Sequence, residues 1–182
     1  TLIPSLDPLE LISLPIPSSL YIVTCIPDLR LETASAREVL RAQYSLRESV
    51  KMSAQLASFI VACYTDDLPL LARALRGCGA SGAPQADPIS QARLPLITGG
   101  VEAVESAYDT GALSAGISGA GPSLFALCDT PSVAGDVGDA MRMGFLSRQV
   151  RSETHIGVVN AEGARVIKRK RALITGASSP LE

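Results

Sequence analysis

The segment of this sequence best suited to chemistry is Gly116-Ile117-Ser118-Gly119-Ala120-Gly121-Pro122-Ser123. Gly116, Gly119 and Gly121 let the backbone turn sharply and present its N–H groups, because glycine has no Cβ to obstruct an approaching ligand. Successive N–H groups in such a turn form an anion-sized concavity suited to phosphate or carboxylate. The same glycines would serve equally well in a tight connection between two strands, where positive φ is the only requirement. Spacing alone leaves these two readings level. The loop is not a Walker A motif, which needs Gly-Lys-Ser/Thr entering a helix, nor a dinucleotide fingerprint, because a strand rather than a helix is expected to follow.

Thr33 and Arg37 are four residues apart, so a helix would present hydroxyl and guanidinium on one face. The planar fork of arginine matches a carboxylate bidentately, which lysine cannot do. Taken by itself, Arg37 reads as a solvated helix arginine and Arg93 as the anchor of a loop. The run Lys168-Arg169-Lys170-Arg171 reads as a solvated edge near the chain end. The single histidine, His155, has no acidic or cysteine neighbour in sequence to make a site with it. Asp66-Asp67 reads as the end of one helix and the cap of the next. Cys25, Cys63, Cys78 and Cys128 are dispersed, with no C-x-x-C pair, so free thiols are expected rather than a zinc site or a disulfide framework.

The elements that must hold these residues follow from pattern. Pro4, Pro8, Pro15 and Pro17 forbid a regular helix at the start, which reads as an extended lead-in over residues 1–18. Leu20 to Ile26 is the first strand, rich in β-branched and aromatic residues. Thr33 and Ser35 can cap a short helix reaching about residue 41. From Ser45 to Tyr64, Val50, Ala54, Ala57, Val61 and Tyr64 recur at steps of four, three, four and three, with Leu56, Phe59 and Ile60 broadening the stripe. That predicts a helix buried on most sides in its second half. A further helix spans 68–76, and the glycine- and proline-rich stretch 77–88 is the expected surface loop.

Beyond it, the pattern predicts a helix over 101–108 and strands over 113–117 and 124–128. A helix opens at Thr130-Pro131, where proline at the first helical position loses no needed hydrogen bond, and strands close the order over 154–159 and 164–167. The resulting order fits an α+β, ferredoxin-like antiparallel sheet with helices on one face, over residues 19–169, with a tail at 170–182. The apolar share of 47% is enough for a core. A net charge of -2 argues against nucleic acid or anionic lipid as the organising partner, and Leu56 to Tyr64 is too short to span a bilayer. No metal ligand set is expected. The start lacks the basic region and apolar run of a secretory signal.

On these residues a resemblance can be stated. GISGAGPSLFALCD resembles the third motif of the GHMP small-molecule kinases, in the form seen in the homoserine kinases. IPDLRLETASAREVL is similar to the family segment H-P-x-x-x-x-x-T-x-x-x-R, with Pro27 following Ile26 where a His-Pro pair is typical. SLRESVKMSAQLASFIVACYTDDLPLL resembles the central helix, with Gln55 where Asn is common. ARLPLITGGVEAV resembles A-R-x-P-L-I-P-G, with Thr98 in place of the second proline. The order of segments is shared over about Leu20 to Ile167.

The resemblance implies a GHMP kinase C-terminal domain in which Thr33, Arg37, Arg93 and Gly119 surround an amino-acid substrate, L-homoserine. It implies ATP and Mg²⁺ as cofactors, threonine biosynthesis as the setting, a homodimer, and a cytoplasmic location, or a plastid in a plant or alga. The glycine loop would shape the site beside the phosphates. A P-x-x-x-G-L-G-S-S phosphate loop is absent from these 182 residues. The chain is therefore expected to be the carboxy-terminal portion of such a kinase, inert without an amino-terminal half that would carry most contacts to ATP and Mg²⁺. No carboxylate here matches a catalytic base. Two alternatives are a GHMP kinase for another small alcohol and a non-catalytic ferredoxin-like module binding an amino acid as a regulatory ligand.

Overall fold

The computed structural model describes residues 1–76 and 87–160. The proline-rich lead-in is extended, as expected, and also paired: β1 (Leu2–Leu6) and β2 (Leu9–Ile12) form an antiparallel hairpin apart from the main sheet. The main sheet has four strands, β3 (Tyr21–Pro27), β4 (Ser114–Ile117), β5 (Leu124–Cys128) and β6 (Ser152–Val158). Their spatial order is β4-β5-β3-β6, and every neighbouring pair is antiparallel. This is the ferredoxin-like order. The expected strand at 164–167, the basic run at 168–171, the tail from residue 170 and nearly all of the expected loop at 77–88 lie outside the described residues.

Strand alternation divides the core in two. Val23 and Cys25 of β3 and Leu124, Ala126 and Cys128 of β5 point to one face, which helices α5 (Gly100–Asp109) and α6 (Pro131–Leu146) cover. Between those helices, a methyl group on Gly144 would lie 2.6 Å from the Cα and N of Ala103. Backbone meets backbone there. Helix α6 opens as its sequence implies, with the Thr130 hydroxyl accepting from Val133 N–H at 3.3 Å and Pro131 in the first turn.

The opposite face carries Ile22, Phe125 and Leu127, and meets a second cluster from α2 (Leu46–Thr65) and α3 (Leu68–Arg76), including Ala62, Cys63 and Leu71. Helices thus cover the α5–α6 face as the fold requires, and the α2–α3 pair adds a layer beyond it. Asp66 ends α2 in the left-handed region and Asp67 accepts from Leu70 N–H at 2.8 Å, so the acidic pair stops one helix and starts the next. Cys25, Cys63 and Cys128 are free buried thiols, and burial pushes the Cys128 thiol up to about 11.

Two local expectations are corrected. The stripe expected to be buried along α2 is its outer side: Val50 is 60% exposed, Val61 51% and Tyr64 61%. Contact with α3 and the sheet selects the side bearing Gln55, Phe59, Ala62 and Cys63, and Gln55 Nε2 donates to the Ala74 carbonyl. Helix α1 spans only Thr33–Glu38. Its N-cap is Glu32, with no side-chain bond, so neither Thr33 nor Ser35 caps it.

Candidate functional site

Three chain segments meet at one rim of the α5–α6 layer. The first is α1, where Thr33 and Arg37 are both exposed and four residues apart in one short helix. The helix ends at once: the Leu40 N–H bonds to the Arg37 carbonyl at 3.0 Å. Among the described residues, the Arg37 side chain has no ion-pair partner.

The second segment is α4 (Pro88–Arg93), a helix that begins at the last residue of the expected 77–88 loop and covers residues for which no element is expected. Asp87 caps it, accepting from Ile89 N–H at 2.9 Å and Ser90 N–H at 3.0 Å, with Pro88 in the first turn. The Asp-Pro pair was its available signal, the same kind that marks Thr130-Pro131. Arg93 is the last residue of α4, and a 3-10 turn over Leu94–Leu96 follows. Arg93 Nε donates to the carbonyl of Ala36 at 2.8 Å. That bond places the end of α4 against α1, one residue before Arg37. Arg93 is half-buried and anchored through this bond.

The third segment is the glycine loop between β4 and β5. Ser118 N–H donates to the Ser123 carbonyl at 2.8 Å and Gly121 N–H to the Ser118 carbonyl at 3.1 Å, closing the turn. Gly119 has φ +65 and Gly121 φ +86, conformations that favour glycine. They differ in surroundings. A methyl group on Gly119 would meet nothing within 4 Å, whereas one on Gly121 would lie 3.0 Å from Ile97 Cδ1 and 3.3 Å from Leu31 Cδ2. Gly119 and Ala120 N–H donate to nothing among the described residues, so the open side of the turn keeps free donors. The loop joins two strands, as one reading of the glycines has it, and there is open space beside Gly119.

Leu31 lies two residues before Thr33, and Ile97 four residues after Arg93. The segments that carry Thr33, Arg37 and Arg93 are therefore joined to one another by the Arg93–Ala36 bond and to the 116–123 loop through Leu31 and Ile97. Arginine side chains and a glycine turn are groups suited to an anion. Arg30, nearby in sequence, faces Glu32 at 3.8 Å, a fully solvated pair of little energetic weight.

A separate cavity of about 670 Å³ is lined by Arg76, Ser90, Leu94, Tyr108, Ala115 and Ile117 among others. Of the glycine segment, Gly116 and Ile117 border it. Two of its polar side chains are already engaged: Arg76 donates to the carbonyls of Ala112 and Leu113, and Tyr108 bonds Ala115. His155 sits on β6, exposed, opposite Thr24. Among the described residues no three His, Cys, Asp or Glu side chains stand close enough together to hold a metal ion.

With this geometry established, comparison with known proteins is informative. Residues 59–145 match the family model "GHMP kinases C terminal". That stretch is a GHMP kinase C-terminal domain. A homoserine kinase of Chlorobium phaeobacteroides is 34% identical over 169 residues, covering 91% of this chain and 50% of that protein. The crystal structure of homoserine kinase from Cytophaga hutchinsonii superposes with a TM-score of 0.81 at 32% identity, covering 91% of this chain and 50% of that one. The mevalonate kinase of L. major, in complex with R-mevalonate, shares the fold of the GHMP domain at 14% identity and a TM-score of 0.56. The chain spans about half the length of the homoserine kinases it matches.

Proposed function

We propose that this chain is the C-terminal part of an ATP-dependent homoserine kinase, a cytoplasmic enzyme of threonine biosynthesis that works with an amino-terminal half. The observation that carries the reading is the Arg93–Ala36 bond of 2.8 Å, which sets a second guanidinium beside the helix bearing Arg37. Two forked cations at one rim suit the α-carboxylate of an amino acid better than the uncharged hydroxyls of a sugar. The identities of 32% and 34% to homoserine kinases over nearly the whole chain support the same substrate.

In this reading Arg37 and the outer edge of Arg93 receive the carboxylate, and the Thr33 hydroxyl lies one helical turn from Arg37 to take a further polar contact. The open space at Gly119 supports a substrate lying against the loop, where the N–H groups of Gly119 and Ala120 would stabilise negative charge. ATP supplies the phosphoryl group that passes to the side-chain hydroxyl. A new O–P bond forms there, the bond to the β-phosphate oxygen breaks, and the hydroxyl proton is lost. Such a transfer depends on positioning and charge neutralisation, and this chain contributes the first for the acceptor.

The test is Arg37→Ala in the full-length enzyme. KM for homoserine should rise by about tenfold or more, the loss of one charge-assisted contact, with KM for ATP nearly unchanged. Equal effects on both substrates would remove Arg37 from the acceptor site. Calorimetry with homoserine and with ATP separates the kinase from a regulatory amino-acid-binding module, which would bind the amino acid and transfer no phosphate.

A further inference from the structure

We infer that Leu31 and Ile97 are positioning residues: an apolar clasp that closes on Gly121 and fixes the glycine loop in register with the two arginine-bearing segments. The inference deepens the homoserine kinase reading and rests on it for its substrate.

The arginines and the loop belong to segments far apart in sequence, and among the described residues no hydrogen bond or ion pair joins all three. The Arg93–Ala36 bond joins α4 to α1 only. The bonds of the loop, from Ser118 to Ser123 and from Gly121 to Ser118, are internal to it. What reaches across is apolar. Around the missing Cβ of Gly121 stand Ile97 Cδ1 at 3.0 Å, Leu31 Cδ2 at 3.3 Å and Ile117 Cγ2 at 3.4 Å. Ile117 belongs to the strand feeding the loop, whereas Leu31 leads into α1 and Ile97 leaves the turn after Arg93. One glycine thus touches a side chain from each arginine-bearing segment.

The clasp is fixed from behind. Ile97 is 2% exposed and belongs to the main core cluster, which Leu31 packs against. Its N–H bonds to the Leu94 carbonyl at 3.0 Å and its carbonyl accepts from Gly100 N–H at 2.7 Å. A methyl group on Gly100 would lie 2.9 Å from Ile97 Cβ, and one on Gly99 2.9 Å from Phe145 Cδ1, so the turn after Ile97 is seated on α5 and α6. Leu31 and Ile97 need not touch the substrate. A bound carboxylate demands that guanidinium forks and loop N–H groups keep their mutual geometry within a fraction of an ångström, and side chains behind the site supply that constraint.

The experiment compares Leu31→Ala and Ile97→Val with wild type in the full-length protein, with Leu71→Ala, on the opposite face of the sheet, as a control for lost core packing. Amide hydrogen exchange is read at 118–121, and KM and kcat are measured for homoserine and ATP. The expected result is faster exchange at Ser118 and Gly121 in both clasp variants, with KM for homoserine raised at least about threefold, KM for ATP within twofold, and Leu71→Ala unchanged in all of these. Ile97→Val removes only Cδ1 and keeps the core filled, so the comparison survives if Leu31→Ala fails to fold. Unchanged loop exchange in Ile97→Val would overturn the clasp whatever the substrate is. Faster exchange with unchanged KM would overturn its role in positioning. If wild type does not phosphorylate homoserine, the substrate reading fails and the exchange data still judge the clasp.

Discussion

Arg93 reaches from the end of α4 to the backbone of Ala36, its Nε donating to that carbonyl at 2.8 Å. The residue after Ala36 is Arg37, so one arginine is anchored to the backbone that bears the other. The Nε of Arg93 is committed to the protein.

Arg93→Lys should therefore not rescue function. Lysine keeps the charge but offers no Nε for Ala36 and no fork for a carboxylate. The expected outcome in the full-length enzyme is a KM for homoserine raised by about tenfold, comparable with Arg93→Ala. Because loss of Arg93 also loosens the segment holding Arg37, the double variant Arg37→Ala/Arg93→Ala should lose less than the sum of the single effects, as a double-mutant cycle would show.

Tyr108 supplies a test of stability away from the rim. Its hydroxyl donates to the Ala115 carbonyl at 3.0 Å and accepts from the Ala115 N–H at 3.1 Å, capping β4 on the sheet edge. Tyr108→Phe leaves two partly buried backbone groups unpaired, at a cost of about 1–3 kcal/mol. Urea unfolding should show the loss, and amide exchange at Ala115 should accelerate. An edge strand without its cap is also open to pairing with other chains, so light scattering on warming should rise sooner.

Gly144→Ala should be among the most damaging single methyl additions in the described residues. The new Cβ would lie 2.6 Å from backbone atoms of Ala103, which cannot rotate away as a side chain can. Overpacking of this kind costs about 1–3 kcal/mol, and a backbone obstacle puts it at the upper end. Thermal unfolding measures it. Gly135→Ala, in the same helix with open space at its Cβ, should be neutral or slightly stabilising.

Glu48 sets a pH dependence. The Arg41 guanidinium at 2.7 Å, together with the backbone N–H and hydroxyl of Ser45, holds its carboxyl down at about 2, against an ordinary value of 4.5. A carboxylate whose pKa is depressed on folding stabilises the fold above the unfolded value, and that contribution is lost as pH falls through the folded one. Glu48→Gln should be less stable than wild type at neutral pH, and the gap should close between about pH 4.5 and 2. The groups are exposed, so the gap is small and narrows further in high salt. Urea midpoints across that pH range measure it.

The sheet could be read from the chain because each strand carries its own signal. Leu20 to Ile26 and Leu124 to Cys128 are β-rich runs, and Thr130-Pro131 announces α6 by capping chemistry alone. The exposed stripe of α2 could not be read correctly, since periodicity reports that a helix has an apolar side without naming the neighbour that side meets. Phe59 and Ala62, facing α3, carry a weaker pattern than Val50, Val61 and Tyr64, yet they are the inner face. Helix α4 was missed although Asp87-Pro88 marks its start, because the glycine-rich stretch before it outweighs a helix of six residues. At the site, the residue types of Arg37, Arg93 and the glycine loop were legible. Their meeting was not, because the Arg93–Ala36 bond and the contacts of Gly121 are tertiary events with no local trace.

The crossing of α5 and α6 at Gly144 and Ala103 has a mechanical consequence. Two helices in direct main-chain contact cannot slide past one another without a steric collision, so together they behave as a stiff plate beneath the sheet. Any adjustment when a ligand arrives must then be taken up by the short linkers at the plate's border. The domain divides its labour between an unyielding support and a narrow adjustable margin.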